Sequence, residues 1–364
     1  MADKIRLGLI GASVSGTWSS RSHLPAVRAS ADVELTAVCT TRAESAEAAR
    51  QTYGARLAFD DYRKMIASPE IDAVAVVVRV PSHYEPTKAA LEAGKHVYCE
   101  WPLGRTTAEA VELAALAEAQ RLTTAIGLQA RVNPALMHMK ELLEAGYIGE
   151  VMAVHVSMIR DGVLTRPSHR TWQRDAELGA NTLTIANGHT IDVMRSIVGD
   201  FARLSAVVST QAKQWLDTGA NAWLDVTAPD NIAITGRLKN SAIVSSHVAH
   251  IPYAGSGYRM EVYGRKGTLV ASGEDSPQLG EVILSGAKGA NELAPIPIPE
   301  RFSMTASGTP SGEAYNVGQM YVLFARAIRE GKGQLPDFGT AVELHRLVDA
   351  VKQASDSGRE MTFA

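Results

Sequence analysis

The apolar run Ile5–Ile10 leads directly into three small residues, Gly11, Ser13 and Gly16. Where a first strand turns into a first helix, such a loop lets backbone N–H groups face a pyrophosphate. Gly11 would make the tight turn and Gly16 would allow close helix–sheet packing, while Ser13 replaces the usual second glycine. The segment therefore predicts a dinucleotide site. Its alternative interpretation is a glycine-rich turn that binds no ligand.

A polar cluster ends the next β-rich run, Val33–Cys39. It consists of Thr40, Thr41 and Arg42, and it contains no carboxylate. NAD-binding proteins usually place an acid here on the ribose 2′-hydroxyl, whereas a guanidinium suits the 2′-phosphate of NADP because it makes charge-assisted bonds to phosphate. The cluster therefore predicts NADP in preference to NAD. The alternative is that Arg42 is a solvated residue at a helix start.

The chain around these residues alternates β-rich runs with helical patterns up to Gln129, which predicts a parallel sheet built from βαβ units. The other strands predicted here are Asp72–Val78, His96–Glu100 and Thr123–Gln129. The predicted helices are Glu44–Tyr53, Pro86–Ala93, one that follows the capping box of Thr106 and Glu109, and Pro134–Ala145. After Glu150 the rhythm changes to longer strands with short turns, typical of an antiparallel sheet. The elements expected there are Val151–Ile159, Leu204–Ser209, Asn231–Leu238, Ala242–His250 and Tyr258–Tyr263, with helices at Leu183–Val198, Glu313–Glu330 and Gly339–Asp356.

The predicted fold class is therefore α/β. Residues 1–128 would form a Rossmann dinucleotide-binding domain, and residues 129–364 an α+β domain for substrate binding and oligomerisation with a large, mostly antiparallel open sheet. The last helix of the second domain is free to pack back toward the first.

Composition and charge exclude several classes of protein. Of the 364 residues, 46% are hydrophobic and 21% charged, and the formal charge of −3 includes no basic block for nucleic acid or anionic lipid. The longest purely apolar run, Ala73–Val78, is far shorter than the roughly 20 residues of a membrane span. Cys39 and Cys99 are interpreted as buried thiols in a reducing compartment. We predict a cytoplasmic protein without nucleic-acid, membrane or metal binding.

Further motifs lie in order along the chain: Val80-Pro81-Ser82-His83, Glu100-Trp101-Pro102, Arg131-Val-Asn-Pro134, Trp172-Gln-Arg174, Gly188-His189-Thr-Ile-Asp192 and Tyr263-Gly-Arg-Lys-Gly267. Together with the glycine loop, they resemble the glucose–fructose oxidoreductase/inositol dehydrogenase (Gfo/Idh/MocA) family over nearly the whole chain. The resemblance implies hydride transfer between NAD(P) and a sugar, polyol or related alcohol or ketone. It also implies a homo-dimer or homo-tetramer.

The resemblance further implies which residues bind the ligands. The predicted cofactor set is Gly11, Ser13, Gly16, Trp18, Thr40, Thr41, Arg42, Val80, Pro81, His83, Glu100, Trp101 and Gln129. The predicted substrate set is Arg160, Trp172, Asn187 and His189.

Two positions depart from the family pattern. Trp101 and Ile185 stand where the family has a lysine and an aspartate, and neither side chain exchanges a proton at neutral pH. His189 remains as the predicted general base, with Asp192 one helical turn later to fix its tautomer. The alternative is that His189 is a hydrogen-bonded core or substrate-binding residue. We expect Trp101 either to stack on the nicotinamide or the sugar, or to fill the core at a strand end.

The Glu-Trp-Pro variant resembles a branch of the family that includes the fungal galactose-pathway transcriptional repressor, a dinucleotide-binding regulator, as well as bacterial oxidoreductases. The leading prediction is an NAD(P)-dependent oxidoreductase with an altered catalytic set. The alternative is a non-catalytic dinucleotide-binding sensor or regulator that acts through a protein partner.

Overall fold

A computed structural model describes residues 3–14, 16–331 and 333–363. The chain divides into two compact units by its internal contacts. One unit contains Met1–Gln129 and Ser303–His345, and the other contains Ala130–Phe302 and Arg346–Ala364.

A six-stranded parallel sheet forms the centre of the first unit. Its strands are β1 (Ile5–Ile10), β2 (Val33–Cys39), β3 (Leu57–Phe59), β4 (Ala73–Val76), β5 (His96–Glu100) and β6 (Thr124–Gly127). Their order across the sheet is β3-β2-β1-β4-β5-β6. Because β1 lies between β2 and β4, the winding direction reverses there, and ligands of such sheets bind at the carboxyl ends beside this switch point. The parallel sheet confirms the fold class predicted for this region.

The helices of this region are α1 (Leu24–Ala29), α2 (Ala43–Tyr53), α3 (Tyr62–Ile66), α4 (Tyr84–Glu92) and α5 (Thr107–Ala119). The hydroxyl of Thr106 caps α5 by accepting a hydrogen bond from the N–H of Glu109 at 3.2 Å, as predicted. Helix α4 begins at Tyr84 rather than at the predicted Pro86, because proline is tolerated in a first turn, where the N–H groups have no helical partner. β3 and α3 were not predicted from the sequence.

The second unit contains a nine-stranded sheet and a smaller one. In chain order its elements begin with α6 (Pro134–Glu144), β7 (Val151–Arg160), β8 (Thr165–Arg166), α7 (Gly188–Val198), β9 (Phe201–Ser209), β10 (Gln214–Asp217) and β11 (Ala222–Asp225). They continue with β12 (Asn231–Leu238), β13 (Ile243–His250), β14 (Gly257–Gly264), β15 (Gly267–Gly273), β16 (Ile283–Lys288) and β17 (Ala294–Pro295). The π-helical turn Thr182–Asn187 precedes α7, where the sequence predicted one continuous helix.

The last elements in the chain are α8 (Glu313–Glu330), which belongs to the first unit, α9 (Phe338–Ser357), which begins in the first unit and ends in the second, and β18 (Met361–Thr362) of the second unit. The large sheet has the order β17-β16-β15-β14-β7-β13-β12-β9-β18, and the small sheet has the order β11-β10-β8. In the large sheet β7 and β13 are parallel neighbours that end side by side at Arg160 and His250, whereas the other pairs are antiparallel. The mostly antiparallel sheet predicted for this region is confirmed.

Alternating burial explains why these strands form a sheet with one covered face. In β12, Ile232 and Ile234 are buried while Ala233 and Thr235 between them are exposed. Side chains of a strand alternate between the two faces, so a strand of period two buries one side only. Within the described part of the chain, the helices are too short or too polar to cross a membrane.

Candidate functional site

The loop after β1 is built around one glycine that nothing else can replace. Gly11 has a φ of +93°, and a Cβ at this position would lie 2.1 Å from the carbonyl oxygen of Val77. The N–H of Gly11 donates to the carbonyl of Cys39 at 2.9 Å, and its own carbonyl accepts from Ser19 Oγ at 2.7 Å. The carbonyl of Ser13 accepts from the Tyr53 hydroxyl at 3.0 Å. The loop is thus held at the carboxyl ends of β1 and β2, beside the switch point. Gly16 also has a positive φ, of +71°.

The end of β2 carries the predicted Thr40, Thr41 and Arg42, but their roles differ. Thr40 Oγ1 lies 2.6 Å from Ser45 Oγ and donates to the carbonyl of Arg42 at 2.9 Å, so this hydroxyl organises the start of α2. Thr41 and Arg42 are exposed.

The neighbouring strand β3 brings acids to the same edge, which the sequence analysis missed. The N–H of Thr40 donates to the carbonyl of Phe59 at 3.1 Å, and Asp60 and Asp61 follow immediately. Burial first, and then these two carboxylates, raise the pKa of the Cys39 thiol to about 12. The end of β2 itself carries no carboxylate, as the sequence indicates, but β3 brings two to the same edge of the sheet. The signal was the Phe-Asp-Asp sequence after a short apolar run.

His83 follows a 3₁₀ turn, Val80–Ser82, and it fixes the segment after β4. Its ring is buried, with Nδ1 at 2.7 Å from the carbonyl of Pro102 and Nε2 at 3.1 Å from that of Val78. Burial lowers the pKa of His83, and a neutral imidazole carries one N–H, which the shorter distance assigns to Nδ1. The ring nitrogens of His83 therefore face backbone carbonyls. Pro81 beside it is half-buried, and Val80 is buried.

Glu100 is the centre of a buried hydrogen-bond network that links four distant parts of the chain. Its carboxylate lies 2.9 Å from His23 Nε2 and accepts from Gln129 Nε2 at 2.8 Å. His23 Nδ1 in turn lies 2.7 Å from the Tyr321 hydroxyl. Because a carboxylate only accepts, Nε2 of His23 donates to Glu100. Burial raises the pKa of Tyr321 well above its usual value, with Glu100 adding to the shift. Glu100 and Gln129, both members of the predicted cofactor set, thus meet in one cluster. No sequence motif indicated that His23 and Tyr321 belong to it.

The two tryptophans predicted at the cofactor have different surroundings. Trp101 is 5% exposed, and its ring centroid lies 4.7 Å from that of His345 on α9. Trp18 is half-buried and edge-on to His23, with ring centroids 6.4 Å apart. The indole Nε1 of Trp18 is buried and has no hydrogen-bond partner among the described residues.

Two sequence motifs of the second unit meet through one ion pair. Arg131 donates from Nε and Nη2 to the two oxygens of Asp192 at 2.8 and 2.6 Å, and Asp192 is 1% exposed. Helix spacing predicts that Asp192 orients His189, and this stays a prediction; in the structure both oxygens of Asp192 accept hydrogen bonds from Arg131. His189 is 6% exposed on the same helix. Asn187 is buried at the start of α7 and donates to the carbonyl of Leu183 at 3.2 Å.

A cavity of about 90 Å³ lies within the second unit, at the carboxyl ends of β7 and β13. It brings together Arg160, from the predicted substrate set, and Ile185, from the altered catalytic set. Its other charged or titratable lining residues are Arg166, Arg170, Asp230 and His250. Trp172 is half-buried on the 3₁₀ segment Ser168–Arg174, and neither it nor His189 lines this cavity. Within the described ranges, no group of three His, Cys, Asp or Glu residues is arranged to hold a metal ion.

One buried and one half-buried histidine, His345 and His250, make stability depend on pH. Burial lowers the pKa of His345 to about 4, and burial with Arg166 nearby lowers that of His250 to about 4. The unfolded state, with a His pKa near 6.5, therefore binds more protons, and stability present above pH 6.5 is lost as the pH falls toward 4. Each histidine should remove up to about 1.4 kcal/mol per pH unit in that window. Urea unfolding at pH 7, 6 and 5 measures the slope.

His345→Gln should reduce the slope of unfolding free energy against pH by the contribution of one histidine, because the amide side chain does not titrate. The exposed His247→Gln is the control for loss of a surface imidazole. An unchanged slope in His345→Gln would show that this histidine does not contribute to the acid sensitivity.

Two family models match the chain. One, described as an oxidoreductase family with NAD-binding Rossmann fold, matches residues 5–128, and the other, its C-terminal alpha/beta domain, matches residues 140–363. The chain belongs to the Gfo/Idh/MocA oxidoreductase family. The resemblance based on the sequence motifs is thereby confirmed.

Members of the Gfo/Idh/MocA family similar to this chain include enzymes and regulators. Dehydrogenase aclE of Aspergillus oryzae is 28% identical over 99% of this chain and 98% of its own length. Levoglucosan dehydrogenase of Pseudarthrobacter phenanthrenivorans is 25% identical over 85% of this chain and 84% of its own. A levoglucosan dehydrogenase structure with NADH and levoglucosan has a TM-score of 0.87 at 21% identity, covering 99% of both chains.

The regulators are represented by Gal80p of Saccharomyces cerevisiae. The structure of its super-repressor mutant has a TM-score of 0.87 at 21% identity and covers 99% of this chain and 98% of its own. At this identity the likeness shows the shared Gfo/Idh/MocA fold.

Proposed function

We propose that this protein is an NAD(P)-dependent oxidoreductase that acts on a sugar, polyol or related alcohol or ketone. The observation that carries the proposal is the Gly11 loop, which lies at the carboxyl edge of a parallel sheet beside its switch point. The indole Nε1 of Trp18, which is buried without a partner among the described residues, and the exposed Arg42 supply donors that fit a dinucleotide. The family relatives named as dehydrogenases, one of them for the sugar derivative levoglucosan, support the substrate class.

His189 is the residue to which we assign the proton. When bound, the nicotinamide cofactor supplies or accepts the hydride. His189 removes the proton of the substrate hydroxyl in oxidation and returns it in reduction, since Trp101 and Ile185 cannot exchange protons. Asp192 and Arg131 hold the helix that carries His189 by their buried ion pair. Asn187 and Trp172 are proposed to contact the substrate.

We propose NADP as the preferred cofactor, with Arg42 on its 2′-phosphate. Arg42→Ala should then weaken the binding of NADPH by about 1.5–3 kcal/mol, the contribution of a hydrogen bond to a charged group, while the affinity for NADH changes little. Titrations that follow tryptophan fluorescence give both dissociation constants. Arg63→Ala, a nearby exposed arginine that lies over Tyr62, is the matched control. Equal losses for the two nucleotides would assign the specificity elsewhere, and Asp60→Asn then tests whether the β3 acids favour NAD.

The same titration tests the proposed function as a whole. Binding of NADPH or NADH, followed by a change at the nicotinamide absorbance band with members of a sugar and polyol panel, is the expected result. Failure of both nucleotides to bind, confirmed by calorimetry, would refute the oxidoreductase and the regulator alike.

A regulator acting through a protein partner is the second candidate. It is favoured by the two positions that cannot handle protons, Trp101 and Ile185, and by the presence of Gal80 among the relatives. Its expected signature is nucleotide binding without turnover of any substrate in the panel.

The remaining assignments are proposals of the same kind. We assign cofactor binding to residues 1–128 and substrate binding with oligomerisation to residues 129–364. The free, buried thiols of Cys39 and Cys99 support a cytoplasmic location. A homo-dimer or homo-tetramer is proposed from family membership, and sedimentation equilibrium measures it.

A further inference from the structure

The cavity of the second unit contains an arginine whose hydrogen-bond partners, among the residues that the structure describes, are all neutral. Arg166 Nη1 donates to the carbonyls of Gly162 and Thr165 at 2.6 and 2.8 Å, and Nη2 donates to His250 Nδ1 at 3.0 Å. Its Nε is buried and has no partner within the described residues. A charge in such a position ordinarily has a carboxylate beside it, because burying it unpaired is costly.

Local structure holds this guanidinium in place. Arg166 lies on β8, which pairs in parallel with β10, and its Cζ lies 4.5 Å from the ring centroid of Trp215 on β10. Trp215 is itself 5% exposed. The stacking and the backbone hydrogen bonds orient the fork before any ligand arrives, which reduces the entropy lost on binding.

His250 does not neutralise the charge. Arginine only donates, so Nδ1 of His250 must carry the lone pair, and its Nε2–H donates to the carbonyl of Asp161 at 2.5 Å. This is the neutral tautomer. The low pKa of His250, about 4, agrees with it.

The other charged groups around the cavity add positive potential near Arg166. Burial, and then the cations Arg170 and Arg160, lower the pKa of Arg166 to about 10. Arg160 Nε lies 3.1 Å from Asp275, which offsets that one arginine.

The acid in the lining is already engaged, and the adjacent apolar residue brings no charge. Asp230 accepts from the backbone N–H groups of Gln211 and Ala212 at 2.8 and 2.7 Å. Ile185, on the π-helical turn over the cavity, offers no carboxylate. Among the lining residues that the structure describes, the three arginines Arg160, Arg166 and Arg170 therefore outnumber the one carboxylate.

We propose that this cavity binds the carboxylate or phosphoryl group of an acidic sugar through Arg166 and Arg170. Arginine forks match the oxygens of either group, and at about 90 Å³ the cavity has room for such a group, since one water needs roughly 10–15 Å³ of comparable volume. That the anion belongs to a sugar rests on the proposed function, whereas the anion site follows from the second unit alone.

Calorimetric titration of the full chain with D-glucuronate, D-glucose 6-phosphate and neutral D-glucose tests the proposal. At least one acid should bind tenfold or more tightly than D-glucose, and the better acid identifies carboxylate or phosphate as the group recognised. Ile185→Asp should lower that affinity at least tenfold relative to Ile185→Asn, which has nearly the same shape without charge. Arg170→Gln should also weaken it, and Arg203→Gln, a charge removed from β9 on the same sheet, should not.

Equal binding of D-glucose and both acids, or equal affinities of Ile185→Asp and Ile185→Asn, would overturn the proposal. Thermal unfolding of the two Ile185 variants checks that both are folded. Turnover of a neutral sugar without preference for acids would remove this inference and leave the proposed function standing. Tight binding of an acid without turnover of any sugar would support the anion site and count against the proposed oxidoreductase.

Discussion

Replacement of His189 by alanine should lower kcat at least 100-fold while leaving the affinity for NADPH and NADH nearly unchanged. General acid–base help is typically worth about 10²–10⁴-fold, and His189 is the one residue of the expected proton-handling set whose side chain can exchange a proton. Steady-state kinetics with the best substrate of the panel give kcat and KM, and fluorescence titration gives the nucleotide affinity. His189→Ala should also remove the limb of the pH–rate profile that reports the free imidazole.

The control for this variant is His155→Gln, an imidazole of the same unit that bonds Ser245 on β13. It should keep kcat within a factor of two or three, since it has no assigned contact with substrate. If His189→Ala retains wild-type kcat, the proton passes by another route. A raised KM at constant kcat would make His189 a binding residue instead.

The parts of the fold that the sequence predicted well are those in which local pattern and burial agree. β1 and β2 were located to the residue because a strand in a parallel sheet is covered on both faces and reads as a mostly apolar run, here even with Arg6 in β1 and Glu34 in β2. The short strand β3 was missed because three residues carry too little pattern. Missing β3 had a chemical consequence, because this strand brings Asp60 and Asp61 to the edge of the sheet where β2 itself ends without an acid.

The sequence indicated candidate residues for the site, but it did not indicate which of these residues contact one another. The spacing of His189 and Asp192 predicted an interaction along one helix, yet Asp192 takes both of its hydrogen bonds from Arg131, 61 positions away. Likewise, the indication that Glu100 binds cofactor gave no hint of His23 or Tyr321, which are 77 and 298 positions from their partners in the network. Pairings over such separations depend on the packed fold, which local spacing does not encode.

Glu100→Ala should destabilise the protein by at least about 2 kcal/mol. The change leaves the buried Nε2–H groups of His23 and Gln129 without their acceptor, and each unsatisfied buried donor costs about 1–3 kcal/mol. Glu100→Gln keeps one acceptor oxygen, so it should lose about half as much unfolding free energy as Glu100→Ala. Urea unfolding monitored by circular dichroism measures both. The exposed ion pair of Lys88 with Glu112 provides the control, because Glu112→Ala should cost only about 0–1 kcal/mol.

Gly127→Ala tests the same network without touching any of its polar groups. A Cβ at this position would lie 2.5 Å from Glu100 Oε1, so the added methyl must displace the carboxylate from its partners. The stability lost in Gly127→Ala should therefore not add to the stability lost in Glu100→Ala when both changes are combined. Glu100→Ala already removes the carboxylate that the Gly127→Ala methyl group would displace. Full additivity would mean that the carboxylate does not hold these elements together. The network joins His23, which ends the π-helical turn following the Gly11 loop, to the strand end before Trp101. Glu100→Gln should accordingly weaken nucleotide binding even where the fold survives.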